Sequence, residues 1–299
     1  MSYNIIQKRK IWLSISGLLV ALSLAAIIAW GLNLGIDFTG GSLLEVDFKS
    51  ARPSAAEIQE NLKDLGLGSL TAQPSGDNGV ILRFQDISEE KHQLILEKLN
   101  IMGGENQIDE LRFDSVGPSI GQELKRKSVL AIIIVLIAIV LYIAWTFRKV
   151  SKPVASWKYG LAAIIALFHD VIITVGIFAV LGKFFGVEIN TAFVAAILTV
   201  LGYSVNDTIV VFDRVRENLP KSEEDFEGTI NTSVNQTITR SINTSITTLL
   251  VLLSIVFFGG ATIRDFILAL SIGVFVGTYS SIFLASPILV IWEKIRNRG

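Results

Sequence analysis

The 299-residue chain contains no cysteine, which excludes disulfides, thiolate metal sites and a cysteine nucleophile. That absence leaves the compartment open, because any location can be occupied without cysteine. Its two histidines, His92 and His169, are little material for a zinc site. Charge is scarce as well: 18% of residues are Asp, Glu, Lys or Arg, against about 25% in soluble domains. The 26 basic and 27 acidic side chains leave a formal charge of -1, which gives no reason to expect a nucleic-acid partner. There is no Gly-x-x-x-x-Gly-Lys phosphate loop, so any energy coupling must use ions or a separate ATPase. Apolar residues are abundant, at 51%, and the mean hydropathy is +0.56. These values point to an integral membrane protein rather than a cytosolic globule.

A bilayer core about 30 Å thick needs about 20 apolar residues as helix. Six stretches qualify: Ile11 to Gly31, Val129 to Phe147, Gly160 to Leu181, Asn190 to Phe212, Ser245 to Gly259 with a polar lead-in, and Phe266 to Trp292. The fifth is short unless its Ser/Thr-rich approach is included. The first exceeds the core of a signal peptide and is followed by no clear small-x-small cleavage site, so it reads as a retained anchor. Basic residues in short loops set orientation. Lys8, Arg9 and Lys10 precede the first span. Arg148, Lys149, Lys152 and Lys158 follow the second, and Lys294, Arg296 and Arg298 form the tail. Both termini are therefore expected in the cytoplasm. Lys125, Arg126 and Lys127 run against this pattern, but they belong to a long loop, which translocates largely regardless of charge.

Three parts follow: a cytoplasmic N-terminus with the first transmembrane helix (1–31), an extracytoplasmic domain (32–128), and a five-helix transmembrane domain with a cytoplasmic C-terminus (129–299). In the middle part, Leu44, Val46 and Phe48 alternate with polar residues as in a half-buried strand. Ser54 and Glu57 form a capping-box pattern ahead of the stripe Ile58, Leu62 and Leu65. A short strand near Ser69 to Gln73, the turn Gly76-Asp77-Asn78-Gly79 and a strand from Val80 to Phe84 read as a hairpin. Helical spacing returns over Ser88 to Leu99, and a strand closes at Ile108 to Phe113. The order strand-helix-strand-strand-helix-strand is the ferredoxin-like arrangement, and the fold assigns no function by itself. His92, among Glu89, Glu90, Lys91 and Gln93, reads as a solvated residue on a helix face. The expected fold is an α-helical polytopic membrane protein with six transmembrane helices and one extracytoplasmic α+β ferredoxin-like domain.

Ionisable residues inside hydrocarbon are costly and usually face an interior or a water-filled path. His169 and Asp170 interrupt the third span, Asn206 and Asp207 interrupt the fourth, and Arg240 precedes the fifth. Helical rise places Asp207 roughly 25 Å and Arg240 roughly 28 Å below the outer ends of their spans, with Asp170 at about 17 Å. Asp207 and Arg240 thus share a level and could pair. Burial favours a neutral carboxyl and a guanidinium favours its anion, so such a site can be toggled. Against a proton relay stand two structural readings: a static Asp207–Arg240 ion pair, and a helix-packing hydrogen bond at His169-Asp170. Four Asn-x-Ser/Thr sequons, beginning at Asn206, Asn231, Asn235 and Asn243, lie outside the middle domain and read as chance.

Several segments carry a resemblance. Leu34-Gly35-Ile36-Asp37-Phe38-Thr39-Gly40-Gly41 follows the first span and Val116-Gly117-Pro118 precedes the second. His169-Asp170 and Gly202-Tyr203-Ser204-Val205-Asn206-Asp207-Thr208-Ile209-Val210-Val211-Phe212-Asp213-Arg214 lie within spans. Over nearly the whole chain the sequence resembles the SecF side of the SecD/SecF family, within the resistance-nodulation-division superfamily. The resemblance implies a six-span half that pairs with SecD and assists preprotein translocation in the bacterial inner (plasma) membrane, driven by the proton-motive force. It further implies a SecYEG channel with SecA, YajC as an accessory, and translocating preproteins as partners; no enzyme activity, cofactor or metal is implied. Asp207 and Arg240 match the family's membrane positions for proton conduction, with Asn206 and Asp170 beside them. Asp37, Gly40 and Gly41 match its turn after the first span, and His169-Asp170 matches a motif with no assigned role. Two alternatives stand beside it: a structural subunit that moves no ions, and a small-molecule or lipid exporter half of the same superfamily.

Overall fold

The computed structural model describes residues 3–103, 108–148 and 155–296. In chain order the elements are α1 (Arg9–Trp30), α2 (Ile36–Thr39), β1 (Gly41–Phe48), α3 (Ala55–Leu62), a 3-10 turn (Lys63–Leu65), β2 (Thr71–Ser75), β3 (Gly79–Phe84), α4 (Glu89–Gly103) and β4 (Ile108–Val116). There follow α5 (Pro118–Thr146), α6 (Ser156–Phe185), α7 (Thr191–Asn218), α8 (Phe226–Phe258), α9 (Ala261–Ser280), a π-helical turn (Ser281–Ala285) and α10 (Ser286–Arg296). The chain divides into two compact units, Leu34–Val129 and the remainder.

The first unit is a four-stranded antiparallel sheet in the order β2-β3-β1-β4, the ferredoxin-like topology that the element order implies. Leu44 stands opposite Leu82 and Phe113, and Val46 opposite Val80. A bulge at Glu45/Val46 re-sets the register with β4. One face of β1 and β3 packs on Ile58 and Leu62 of α3 and on Ile95 and Leu99 of α4. The capping box forms as expected: Glu57 N–H donates to Ser54 Oγ (3.3 Å) and Ser54 N–H to Glu57 Oε2 (2.8 Å).

His92 departs from expectation. It is 4% exposed, its ring stacks on Phe113 at 3.8 Å between centroids, and Glu89 and Glu110 flank its two nitrogens at 3.2 and 3.3 Å. The reason is helical spacing: residues 92, 95 and 99 fall on one face, and that face is the one against the sheet. Its polar sequence neighbours disguise it.

Gly40, which caps α2, and Gly41, which opens β1, lie at φ +73° and +119°, conformations that side chains resist. A Cβ on Gly40 would stand 2.8 Å from Pro118 Cα, and one on Gly41 2.7 Å from the Phe84 carbonyl oxygen. Both the backbone and the space therefore demand glycine here.

Among the described residues, six helical spans are long and apolar enough to cross a membrane: α1, α5, α6, α7, α8 and the continuous α9–α10. Consecutive spans alternate in direction. At one end Ile189 N–H donates to the Asn33 carbonyl (2.7 Å), joining the end of α1 to the α6–α7 turn. At the other, the amides of Ile5 and Ile6 donate to Asn231 Oδ1 on α8 (3.0 and 3.2 Å). There Glu227 also holds Arg9 Nη1 at 2.6 Å and pairs with Lys294. Lys149, Lys152 and Arg298 lie outside the described residues. The short fifth stretch proves to be one helix of 33 residues that takes in its whole polar approach. In the sixth, the π-turn sits just before Pro287, which lacks the N–H of a regular ladder, so the helix widens there instead of breaking.

Candidate functional site

Asn190 caps α7, its side chain accepting from Phe193 N–H at 2.9 Å. From there the buried positions Ala196, Val200, Ser204, Asp207, Val211 and Val215 recur at helical spacing. Asp207 thus belongs to the inward stripe and is 5% exposed. Asn206, the next residue back, lies on the opposite, exposed side.

Asp207 has no ion pair within 4.0 Å among the described residues, and its buried Oδ2 accepts no hydrogen bond. Arg240 on α8 forms no such pair with it, and its own side chain is exposed on the bundle surface. The structure brings the two to one level. Tyr203 Oη lies 3.4 Å from Ser245 Oγ, and in the antiparallel register of α7 and α8 that contact sets Asp207 across from residues 240 and 241. Ser241 Oγ is a second buried atom with no partner. A static ion pair is therefore not what holds these helices together.

Asp170 is held quite differently. It is fully buried, and each carboxylate oxygen is engaged. Ser204 of α7 donates to Oδ2 at 2.5 Å, Ser280 of α9 donates to the same oxygen at 2.8 Å, and His169 Nδ1 lies 2.9 Å from Oδ1. The close approach of α9 to α7 makes this geometry possible. A Cβ on Gly273 would meet Val200 at 2.2 Å, and one on Gly277 would meet Ser204 at 2.9 Å. These two contacts, four residues apart on each helix, fix a parallel register. Three residues further along each helix stand Ser280 and Asp207, so Asp170 bonds to side chains at and just above the level of Asp207.

Other polar side chains extend this level into a belt. Ser245 of α8 lies 2.5 Å from Thr278 of α9. Tyr279 donates from its hydroxyl to the Trp12 carbonyl of α1 at 3.0 Å, with Ser16 of the same helix 3.3 Å away. The His169 ring faces Tyr279 at 6.0 Å, and its Nε2 is buried without a partner. Five of the six spans, all but α5, contribute a polar side chain here.

Among the expected site residues, Asp207 and Asp170 therefore share the interior. Arg240 lies at its edge, and Asn206 is turned away. Asp37, Gly40 and Gly41 belong to the sheet unit, where Asp37 lies in the single turn α2, Gly40 caps that turn and Gly41 begins β1. Sequence reasoning missed Ser204, Ser280 and Tyr279, whose one signal is small or polar character inside an apolar span. It also counted Arg9 and Lys294 only as orientation signals, although both converge on Glu227. Among the described residues there is no cluster of His, Asp and Glu able to hold a metal ion.

Comparisons with known proteins bear on this arrangement. Residues 97–295 match the family model described as protein export membrane protein SecD/SecF, C-terminal, and residues 26–51 match that of the SecD/SecF GG motif. The chain is 44% identical to the protein translocase subunit SecF of Thermobaculum terrenum, over 97% of this chain and 94% of that protein. It is 39% identical to the protein translocase subunit SecDF of Brucella abortus, over 93% of this chain and 36% of the relative. The crystal structure of SecDF from Thermus thermophilus, described as a translocon-associated membrane protein, superposes with a TM-score of 0.84 at 34% identity. That match covers 98% of this chain and 39% of the SecDF chain.

Proposed function

The chain belongs to the SecD/SecF family of protein export membrane proteins, and on that premise we propose that it is the smaller half of a proton-driven complex assisting preprotein translocation. Its partner in this reading is a SecD half, as the single-chain SecDF relatives suggest, and the complex serves a SecYEG channel with SecA and YajC. It resides in the bacterial plasma membrane with both termini cytoplasmic and the ferredoxin-like domain outside, where it meets emerging preproteins.

The observation that carries the proposal is Asp207: a carboxyl group on the buried face of a membrane helix, its Oδ2 unbonded, with Arg240 of α8 at its level. Burial without a partner favours the neutral acid, and a cation favours the anion. Small movements of α8 against α7 therefore change which form is preferred. Asp207 carries the proton and Arg240 biases its charge, while Asn206 and Asp170 complete the pathway. Asn206, Arg240, Asn243 and Thr247 are exposed on α7 and α8; polar side chains at such depth are costly against lipid. A partner half packed on these faces would enclose them.

Proton uptake by vesicles carrying the chain with its partner half tests the assignment. Asp207→Asn should abolish uptake while both halves still purify together. Uptake at the wild-type rate in that variant, or dissociation of the halves as its sole effect, would return the chain to a structural role.

A further inference from the structure

His169 and Asp170 form a buried titratable pair with its own surroundings. Asp170 joins α6, α7 and α9 through one carboxylate, and one of its hydroxyl partners, Ser280, has an alternative acceptor. Ser280 Oγ lies 2.8 Å from Asp170 Oδ2 and 3.1 Å from the Gly277 carbonyl oxygen. With Asp170 ionised, Ser204 and Ser280 both donate to Oδ2. With a proton on Oδ2, Ser280 can turn its hydrogen to Gly277 and accept from the acid instead. Both protonation states thus leave Asp170 Oδ2 and Ser280 Oγ with a partner, a condition that interiors enforce strongly.

His169 adds a second position. Its Nδ1 faces Asp170, and its Nε2, on the far side of the ring, is buried with no partner. The residue is 4% exposed. Buried polar atoms are paired as a rule, so an unpartnered one at that depth calls for an explanation. The groups facing the pair are Ser204 of α7, with Asp207 one turn further; Tyr279 and Ser280 of α9; and Ser16 of α1, reached through Tyr279. The charged residues Arg9 of α1 and Lys294 of α10 are drawn away to Glu227 at one end of the bundle.

We propose that His169 and Asp170 constitute a second proton-holding centre, distinct from Asp207, whose hydroxyl ligands Ser204 and Ser280 accommodate its loaded and empty states. The centre rests on the proposed function for the identity of the ion and goes further in giving the His-Asp pair a site of its own. Ser204 is one turn from Asp207 on α7, and Ser280 stands level with Asp207 on α9. Loading the centre therefore alters the bonds that fix α7 and α9 beside the first proton site. No bond to carbon is made or broken; a proton enters at Asp170 Oδ2 or His169 Nε2 and leaves from the same atoms.

Infrared difference spectroscopy of the full chain in liposomes, stepped from mildly alkaline to mildly acidic pH, reads this directly. Wild-type protein should gain protonated-carboxyl bands from two intramembrane aspartates. Asp207→Asn should remove one and keep the other; Asp170→Asn should remove the other. His169→Asn, which keeps a donor toward Oδ1, and Ser280→Ala should each shift the midpoint of the Asp170 band and leave the Asp207 band in place. These two variants retain the carboxyl group and serve if Asp170→Asn does not fold. A spectrum unchanged in Asp170→Asn, or midpoints unchanged in both His169→Asn and Ser280→Ala, would overturn the centre. Loss of the Asp170 band alone, with Asp207→Asn spectrally silent, would support the centre and count against the proton site at Asp207.

Discussion

The hydroxyl of Ser204 lies 2.5 Å from Asp170 Oδ2, while Asp207, one turn along the same helix, leaves its own Oδ2 unbonded. Two buried aspartates at nearly one level are thus solvated in opposite ways, one by hydroxyls from two helices and one by no hydrogen bond at Oδ2. Ser204→Ala should weaken the bundle by about 1.5–3 kcal/mol, the range for a hydrogen bond to a charged group. Ser280→Ala should cost a similar amount. Because both serines serve one oxygen, the double variant should depart from additivity. Unfolding in micelles under increasing denaturant measures all three.

Gly40→Ala should destabilise the start of β1 by at least ~1 kcal/mol, because the backbone lies at positive φ and a Cβ would collide with Pro118. Gly66 provides the contrast, since its φ is +62° but open space surrounds it. Gly66→Ala should therefore carry only the conformational cost. Hydrogen exchange of β1 amides in the full chain compares them, and equal protection in both variants would refute the collision argument.

His92→Ala should cost about 0.5–3 kcal/mol, the usual span for a single destabilising substitution. The loss should be local, with amides of α4 and β4 exchanging faster because the ring bridges those elements. If His92 were solvated, the substitution would leave those amides unchanged.

Acid should loosen the sheet unit in a specific sense. The backbone N–H and then the hydroxyl of Ser54 hold the Glu57 carboxyl below its ordinary range. Bonds from Gln93 and His92 do the same for Glu89. A lowered folded-state value means stability that is present above the unfolded-state pKa, about 4.3 for glutamate. It is lost as pH falls through the folded-state value. Thermal unfolding at descending pH should show this loss, and Glu57→Ala with Glu89→Ala should remove that part of the pH dependence.

The sequence made some of this architecture readable and hid the rest for identifiable reasons. Apolar runs exposed all six spans because hydrocarbon demands them, the fifth only in its second half. The first half of α8 escaped because it is rich in Ser, Thr and Asn. In the helix its hydroxyls bond back to carbonyls one turn earlier, Ser233 to Thr229 at 2.7 Å and Thr237 to Ser233 at 3.1 Å, so polar side chains are satisfied without water. Asp170 was visible as a charge inside a span, but its partners were not: Ser204 and Ser280 lie 34 and 110 residues away, and serine in a membrane helix is common. His92 could have been found, since its spacing to Ile95 and Leu99 is that of a core face. Local polarity outweighed the period. The shared level of Asp207 and Arg240 followed from helical rise alone, whereas their lack of a direct bond required the geometry.

The central claim is that Asp207 carries a proton whose passage supports export. Preprotein translocation into inverted membrane vesicles, measured with and without a proton-motive force for wild type and Asp207→Asn, tests it most directly. The account predicts that the variant assembles with its partner half and loses the stimulation by the proton-motive force, while ATP-driven translocation continues. Full stimulation in the Asp207→Asn vesicles would contradict it.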